Sequence, residues 1–367
     1  MRPRLRPIFL AILLAGACGP RDADSGFGTT PGITSLSMTT SSGSTSSSTG
    51  DTSTTSSSGD SDPVGGTTVS FDAGDLPDGG NPQPAGCKGK IDFLFVISRS
   101  GHMATPIESY GTIYERLVVA IPNFFATIET KFADFDYHIL VTDGDPYWGS
   151  SYCDQQCPGP FMDSCQPGDA YPCEMVGKVP ACDLTWGAGA VFNAGWLAPN
   201  KPCDIAGGRR YLTTDQPDLA ETFACIAQVG ASGYYLIGQA LVAAVGSDLN
   251  GPGGCNEGFL RDDALLVVTL VTNTLDNDSD GTPSSWAQAV FDAKGRPDSI
   301  VTFGIVNQIS QPWCDTYVDK WAPSRTCELI RRFPFHTSID LDIDDYGPGF
   351  EAATELVAEA CAAFIPG

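Results

Sequence analysis

An α/β fold with a doubly wound, mostly parallel sheet is predicted by three features of the sequence. Two nearly unbroken apolar runs, Ile91–Ile97 and Ala264–Thr272, have the length and the β-branched and aromatic content of strands buried on both faces. A third run, Asp136–Asp143, has the same character and precedes the second of them. Between and after these runs lie segments with helical apolar spacing, so strand and helix alternate as parallel crossovers require.

The first 17 residues combine a basic start (Arg2, Arg4, Arg6) with the short apolar stretch Ile8–Leu14, which is too short for a permanent span and reads as an export signal. Small residues then precede Cys18, as in a bacterial lipoprotein cleavage box. Cys18 is the expected acylated residue, several acyl chains giving stable membrane attachment. Ordinary signal cleavage and secretion is the alternative.

Residues 18–86 are poor in apolar side chains, and the run from Thr29 to Ser61 is nearly all Ser, Thr and Gly. Such a segment cannot bury enough surface to offset its ordering entropy, so a flexible tether is expected. About 65 residues of this kind reach on the order of 45 Å, enough to hold a domain away from a membrane.

The chain has 367 residues and a formal net charge of −24. A negative field repels phosphates and anionic headgroups, which argues against a nucleic-acid partner and favours cations or basic proteins. Of the 13 cysteines, 12 remain when Cys18 is set aside, an even number suited to disulfides in an oxidising compartment. No Cys-x-x-Cys pair supports a zinc site.

The folded domain is expected over residues 87–367. After the first strand comes the polar loop Ser98-Arg99-Ser100-Gly101-His102, then a helix-like stretch from Ala104 to Lys131 with a kink or break expected at Pro122. In open α/β sheets such strand ends are where ligands bind. Here the chain resembles the von Willebrand factor A (vWA) family, a Rossmann-like fold whose first strand ends in a metal-binding loop Asp-x-Ser-x-Ser. Ser98 stands in the place of that aspartate, Ser100 in that of the first serine and His102 in that of the second. The strand Asp136-Tyr137-His138-Ile139-Leu140-Val141-Thr142-Asp143 resembles the bacterial vWA pattern Asp-Tyr-x-x-x-Val-Val-Thr. His138, inside that strand, reads as a packed or hydrogen-bonded residue.

Residues 144–206 form a cysteine-rich insertion containing Cys153, Cys157, Cys165, Cys173, Cys182 and Cys203, among which three disulfides are expected. The insertion leaves the end of the second strand, so it should cover the same edge as the Ser98 loop, and it is the expected seat of partner specificity. A strand at Arg210–Thr213, a helix from Asp218 to Gln228 started by Asp218, and a helix from about Leu236 to Val245 follow. The resemblance implies a metal-binding threonine just before the last of these helices, where Ser232 is the hydroxyl candidate, and a second aspartate after the strand Ala264–Thr272, where Asn273 stands. Cys225 and Cys255 bracket the helix and are expected to bridge its ends.

Asp276, Asp278 and Asp280 form an Asp-x-Asp-x-Asp-Gly run. Its twelfth position is Ala287 where a calcium loop has a glutamate, so a solvated acidic turn is the reading preferred over a calcium site. A helix Ser284–Ala293, a strand Ile300–Val306, a Cys314–Cys327 bridge and a last helix to about Phe364 complete the domain, and we pair Cys361 on that helix with Cys87.

The resemblance implies an adhesion-type rim made by Ser98, Ser100, His102, Ser232 and Asn273. With neutral groups in place of both aspartates, the rim is expected to bind a protein or a surface glycan without a cofactor. Mg²⁺ or Ca²⁺ bound through displaced acids (Asp143, Asp145, Asp276, Asp278, Asp280) is the alternative. A hydrolase using Ser100 is the third reading. It is disfavoured because no Gly-x-Ser-x-Gly elbow is present and Ser100 and His102 share one loop.

Overall fold

The central strand β1 (Lys90–Ile97) pairs in parallel with β2 (Asp136–Asp143) on one side and with β6 (Leu265–Thr272) on the other. These relations come from a computed structural model that describes residues 87, 89–104, 111–148, 179–195, 197–306 and 324–364, all within the unit Leu76–Gly367. The export signal, Cys18 and the tether lie outside the described residues, as do Cys153, Cys157, Cys165, Cys173 and Cys314.

Two short strands, β3 (Phe192–Asn193) and β4 (Lys201–Pro202), form a separate antiparallel ribbon in the insertion. The edge strand β5 (Leu212–Thr213) runs antiparallel to β2, while β7 (Ile300–Val306) and β8 (Phe335–Asp340) extend the sheet in parallel beyond β6. The order is β5-β2-β1-β6-β7-β8, a mixed and mostly parallel sheet. The chain moves from β1 to β2 on one side and later returns to β6 on the other. A crevice therefore opens at the C-terminal ends of β1 and β6, the topological switch point.

Alternation along β1 assigns its side chains to two layers. Ile91, Phe93, Phe95 and Ile97 face α1 (Ile113–Lys131), α2 (Leu219–Ala227) and α7 (Gly347–Ala363). An aromatic cluster fills that side, with ring centroids of Phe95 and Phe223 4.8 Å apart and of Phe124 and Phe350 4.7 Å apart. Leu94 and Val96 face α3 (Ile237–Val245), α5 (Pro283–Lys294) and α6 (Arg325–Ile330). A one-turn helix α4 (Ser247–Asn250) follows α3. Gly238 lets α3 lie against Trp286 of α5, because a Cβ there would come within 2.4 Å of the indole.

Asp92, the one acid in the apolar run of β1, is fully buried beneath Arg261, which gives it a backbone N–H and an Nε–H, each at 2.8 Å. The His138 ring lies against Tyr211, and its Nδ1 is 3.0 Å from the Phe259 carbonyl oxygen. These contacts fasten the N-terminal edge, opposite the crevice.

Several expectations are corrected. The first long helix begins at Ile113 behind a Thr112–Glu115 capping box, and residues 101–104 form a separate 3-10 turn. Pro122 does not break the helix, which runs through it from Ile113 to Lys131, and the residue is exposed. Asp218 does precede α2, but in a left-handed conformation (φ 50°) with no side-chain cap bond. Strand β8 and helix α6 were not anticipated. The side chains of β8 (Phe-His-Thr-Ser-Ile-Asp) are all half-buried, so this edge strand lacks the apolar signature of the inner ones.

Cys87 and Cys361 form a disulfide, joining the residue before β1 to α7. Cys225 does not pair with Cys255. It bonds Cys203, and Cys255 bonds Cys182, with Cα separations of 5.8 and 5.6 Å. The reason is layering: α2 packs on one face of the sheet and α3 on the other, so each cysteine meets the insertion on its own side. Cys182 and Cys203 therefore leave the set of three bridges expected inside the insertion. Cys327 is disulfide-bonded.

Because the Cys87–Cys361 bridge closes a loop with a sequence separation of 274 residues, replacing both cysteines with alanine is expected to cost about 2–5 kcal/mol of stability. Urea unfolding under oxidising conditions measures this, and exchange of the exposed Val119 for serine serves as the neutral control.

Candidate functional site

The loop after β1 is locked by its backbone before its side chains are considered. Ser98 N donates to the Val271 carbonyl of β6 at 2.8 Å, and Arg99 N to Tyr234 O at 3.0 Å. Arg99 O accepts from both Ser232 N and Gly233 N at 2.9 Å. The β1 loop and the loop before α3 are thus zipped together, and the Tyr114 hydroxyl of α1 reinforces them from hydrogen-bond distance of both Gly230 O (2.6 Å) and Ser98 O (3.0 Å).

With its backbone held on both sides, Arg99 points inward, and its side chain is 1% exposed. Its guanidinium lies 3.6 Å from Asp143 Oδ2 and 3.7 Å from Asp145 Oδ2, and donates to the Ala194 carbonyl of the insertion. Gly195 makes the space: a Cβ there would come within 2.7 Å of the guanidinium nitrogen. Asp143 ends β2, and its Oδ1 accepts the Asp145 N–H, while Asp145 Oδ1 accepts that of Tyr147, each at 2.8 Å. Two successive side-chain turns thereby aim both carboxylates at Arg99. Burial pushes the Asp143 carboxyl up to about 6, with Arg99 opposing the rise and Asp145 adding to it.

The other expected rim residues separate into two groups. Ser98, Ser100 and Ser232 are buried around Arg99, whereas His102 is exposed. Ser98 Oγ accepts the Ser100 N–H (3.1 Å) and Ser100 Oγ accepts the His102 N–H (3.3 Å), so two hydroxyls serve the turn itself. Ser232 Oγ and Asn273 Oδ1 are buried without a hydrogen-bond partner. Asn273 follows β6, across the crevice from Ser98.

Asp276, Asp278 and Asp280 serve α3. Asp276 Oδ2 accepts the Gly238 N–H at 2.7 Å, Asp278 accepts the Tyr235 hydroxyl at 2.5 Å, and Asp280 accepts the Gln239 amide at 2.9 Å. Acids at a helix start complement its dipole. The carbonyls of Asp276, Asn277, Ser279 and Gly281 accept hydrogen bonds from Arg325, whose guanidinium lies 4.4 Å from the centre of the Trp286 ring. The turn that resembled a calcium loop is folded around an arginine.

The residues of the first loop do not fit the hard cation that the resemblance implies. Such an ion needs several oxygens close around it. Here the space between the two available carboxylates is filled by a guanidinium, and the two positions expected to supply further charge carry Ser98 and Asn273. Among the described residues no group of three or more His, Cys, Asp or Glu could hold a metal. Arg99, which sits at the centre of the candidate site, is the residue that sequence reasoning missed. The usable signal was a lone cation inside a loop that the next strand faces with Asp143 and Asp145.

The insertion returns over this edge. Trp148 Nε1 donates to Phe192 O at 2.6 Å, and buried Asn256 exchanges hydrogen bonds with Gly187 and Gly189. The solvent side of the rim presents Tyr147, 52% exposed and 5.3 Å from Tyr234 between ring centroids, together with exposed His102, Asp278 and Asp280.

No protein-family model matches the chain, and no curated protein matches it. Two crystal forms of proximal thread matrix protein 1 from the mussel byssus align with 76% of the chain, at 14% and 12% identity and TM-scores of 0.34 and 0.35. The aligned part spans 47% of that protein's chain.

Two outcomes follow from the Arg99 geometry. Replacing Arg99 with methionine leaves two buried carboxylates uncompensated and is expected to cost about 3–5 kcal/mol in equilibrium unfolding. The folded Asp143 carboxyl lies above its ordinary value of 3.8, so the folded state holds that proton more tightly. Its contribution is complete below about pH 4 and disappears as pH rises through about 6. Unfolding free energies of the wild type and of Asp143→Asn, compared from pH 4 to 7, should show that part of the decline only in the wild type.

Proposed function

We propose that this chain is an exported, surface-tethered vWA-like protein whose folded domain is a non-catalytic binding module for a protein or a surface glycan. The α/β sheet with its crevice at the β1/β6 switch point supports the fold reading, and disulfides are compatible with an extracellular location. No helix among the described residues is long and apolar enough to cross a membrane; attachment through a lipid on Cys18 rests on the small residues that precede that cysteine.

One observation carries the binding reading. At the switch point the buried charged groups Arg99, Asp143 and Asp145 are tied to one another, while an aromatic and acidic surface, Tyr147 with Tyr234 and the exposed Asp278 and Asp280, is left facing solvent. Aromatic side chains supply contact area at low entropic cost, and carboxylates beside them suit a partner with basic groups. Catalysis through Ser100 is poorly supported. A serine nucleophile needs a base in reach, and the Ser100 hydroxyl accepts the His102 backbone N–H, with no hydrogen bond to the exposed imidazole among the described contacts.

The test uses the full chain immobilised against solubilised cell-surface protein and glycan fractions. A specific partner retained by the wild type should be lost, at least tenfold in affinity, in the Tyr147→Ala, Tyr234→Ala double variant and kept in Val119→Ser. Activity-based serine labelling that Ser100→Ala abolishes would overturn the reading.

A further inference from the structure

We propose that the Arg99 guanidinium is a built-in cation that occupies, between Asp143 and Asp145, the place a divalent ion would need, and so makes the rim independent of divalent cations. The inference deepens the binding reading by fixing its ion dependence, but it rests on the site geometry alone.

The first support is placement. Arg99 lies in the loop after the central strand, at the switch point, and its N–H and carbonyl are both engaged by the loop before α3. The side chain runs inward, 1% exposed, to the two acids after β2. The second is coordination by the chain. The guanidinium meets two carboxylates and the Ala194 carbonyl, and Gly195 lacks the Cβ that would collide with it. A residue with a side chain at 195 would close the pocket that holds it. The third is charge. Asp145 is fully buried and Asp143 is 16% exposed. Two such acids side by side require a cation, or one of them must take up a proton. Arginine supplies that charge permanently, since it does not lose its proton, and a guanidinium is more weakly hydrated than an ammonium, so burying it costs less.

A metal-dependent rim changes with the ion supply, whereas this one is set when the chain folds. The ion and Arg99 are mutually exclusive, because the guanidinium fills the space between the carboxylates.

Thermal unfolding and titration calorimetry of the full chain with MgCl₂, CaCl₂ and MnCl₂, against EDTA, test the proposal. The wild type should show the same Tm in all four conditions and no saturable heat. Arg99→Ala, which empties the space and leaves both acids, should unfold at a lower temperature in EDTA. With ion at about a hundred times Kd it should regain on the order of 5–10 °C, and adding Asp143→Asn should abolish the gain. Arg99→Lys, which keeps an internal charge, should fold and remain indifferent to all three ions.

Saturable binding to the wild type that Asp143→Asn removes would overturn the proposal, as would a folded Arg99→Ala that no ion stabilises. The wild-type titration decides even where Arg99→Ala fails to fold. Saturable wild-type binding would leave rim-dependent partner capture standing, and absence of capture would leave the built-in cation standing, so the two failures are separable.

Discussion

The buried contact between Arg99 and the two acids after β2 is the constraint on which the C-terminal edge depends. It joins the end of the central strand, the end of its neighbour and the returning insertion, through Ala194, at one point. Each element alone would leave a charge or a carbonyl without a partner away from water, a cost of several kcal/mol. Together they satisfy one another, so the described end of the insertion is held over the edge. The Cys182–Cys255 and Cys203–Cys225 bridges add an anchor on each face of the sheet.

The inner sheet was legible because burial on both faces leaves an uninterrupted apolar run, as in β1 and β6. The outer parts were not. Half-buried β8 alternates without a clear period, and six-residue α6 is too short to show one. The candidate site was legible as a place and illegible as chemistry. Ser98, Ser100 and Ser232 do gather where the loop was expected, but the residue that organises them is the one a motif treats as variable. Sequence spacing gives no sign of where a long side chain goes, and here the Arg99 backbone is held by three hydrogen bonds with a loop more than 130 positions later. The expected Cys87–Cys361 pair forms, whereas the expected Cys225–Cys255 pair does not, because these cysteines flank a helix in sequence while meeting the insertion on opposite sides of the sheet.

The acidic turn after β6 repeats the same solution with different parts. A run spaced like a calcium loop is organised by Arg325, which takes up four of its carbonyls and stacks on Trp286, while its carboxylates hold the start of α3. In both loops a guanidinium sits where the spacing of the acids suggested a metal. A planar group with five donors suits a ring of carbonyls as well as a pair of carboxylates. In a chain with 20 basic residues against 44 acidic ones, placing two of the arginines inside acidic loops also leaves the exterior more negative.

The Cys87–Cys361 bridge lies at the entry to β1, immediately after the segment read as a tether. Tension arriving along that segment meets a covalent fork: part continues into the central strand and part passes straight to the last helix. β1 cannot then be peeled from the sheet by its leading end, because the sulfur link holds that end to α7. Separating β1 from the sheet then requires its hydrogen bonds to β2 and to β6 to give way together.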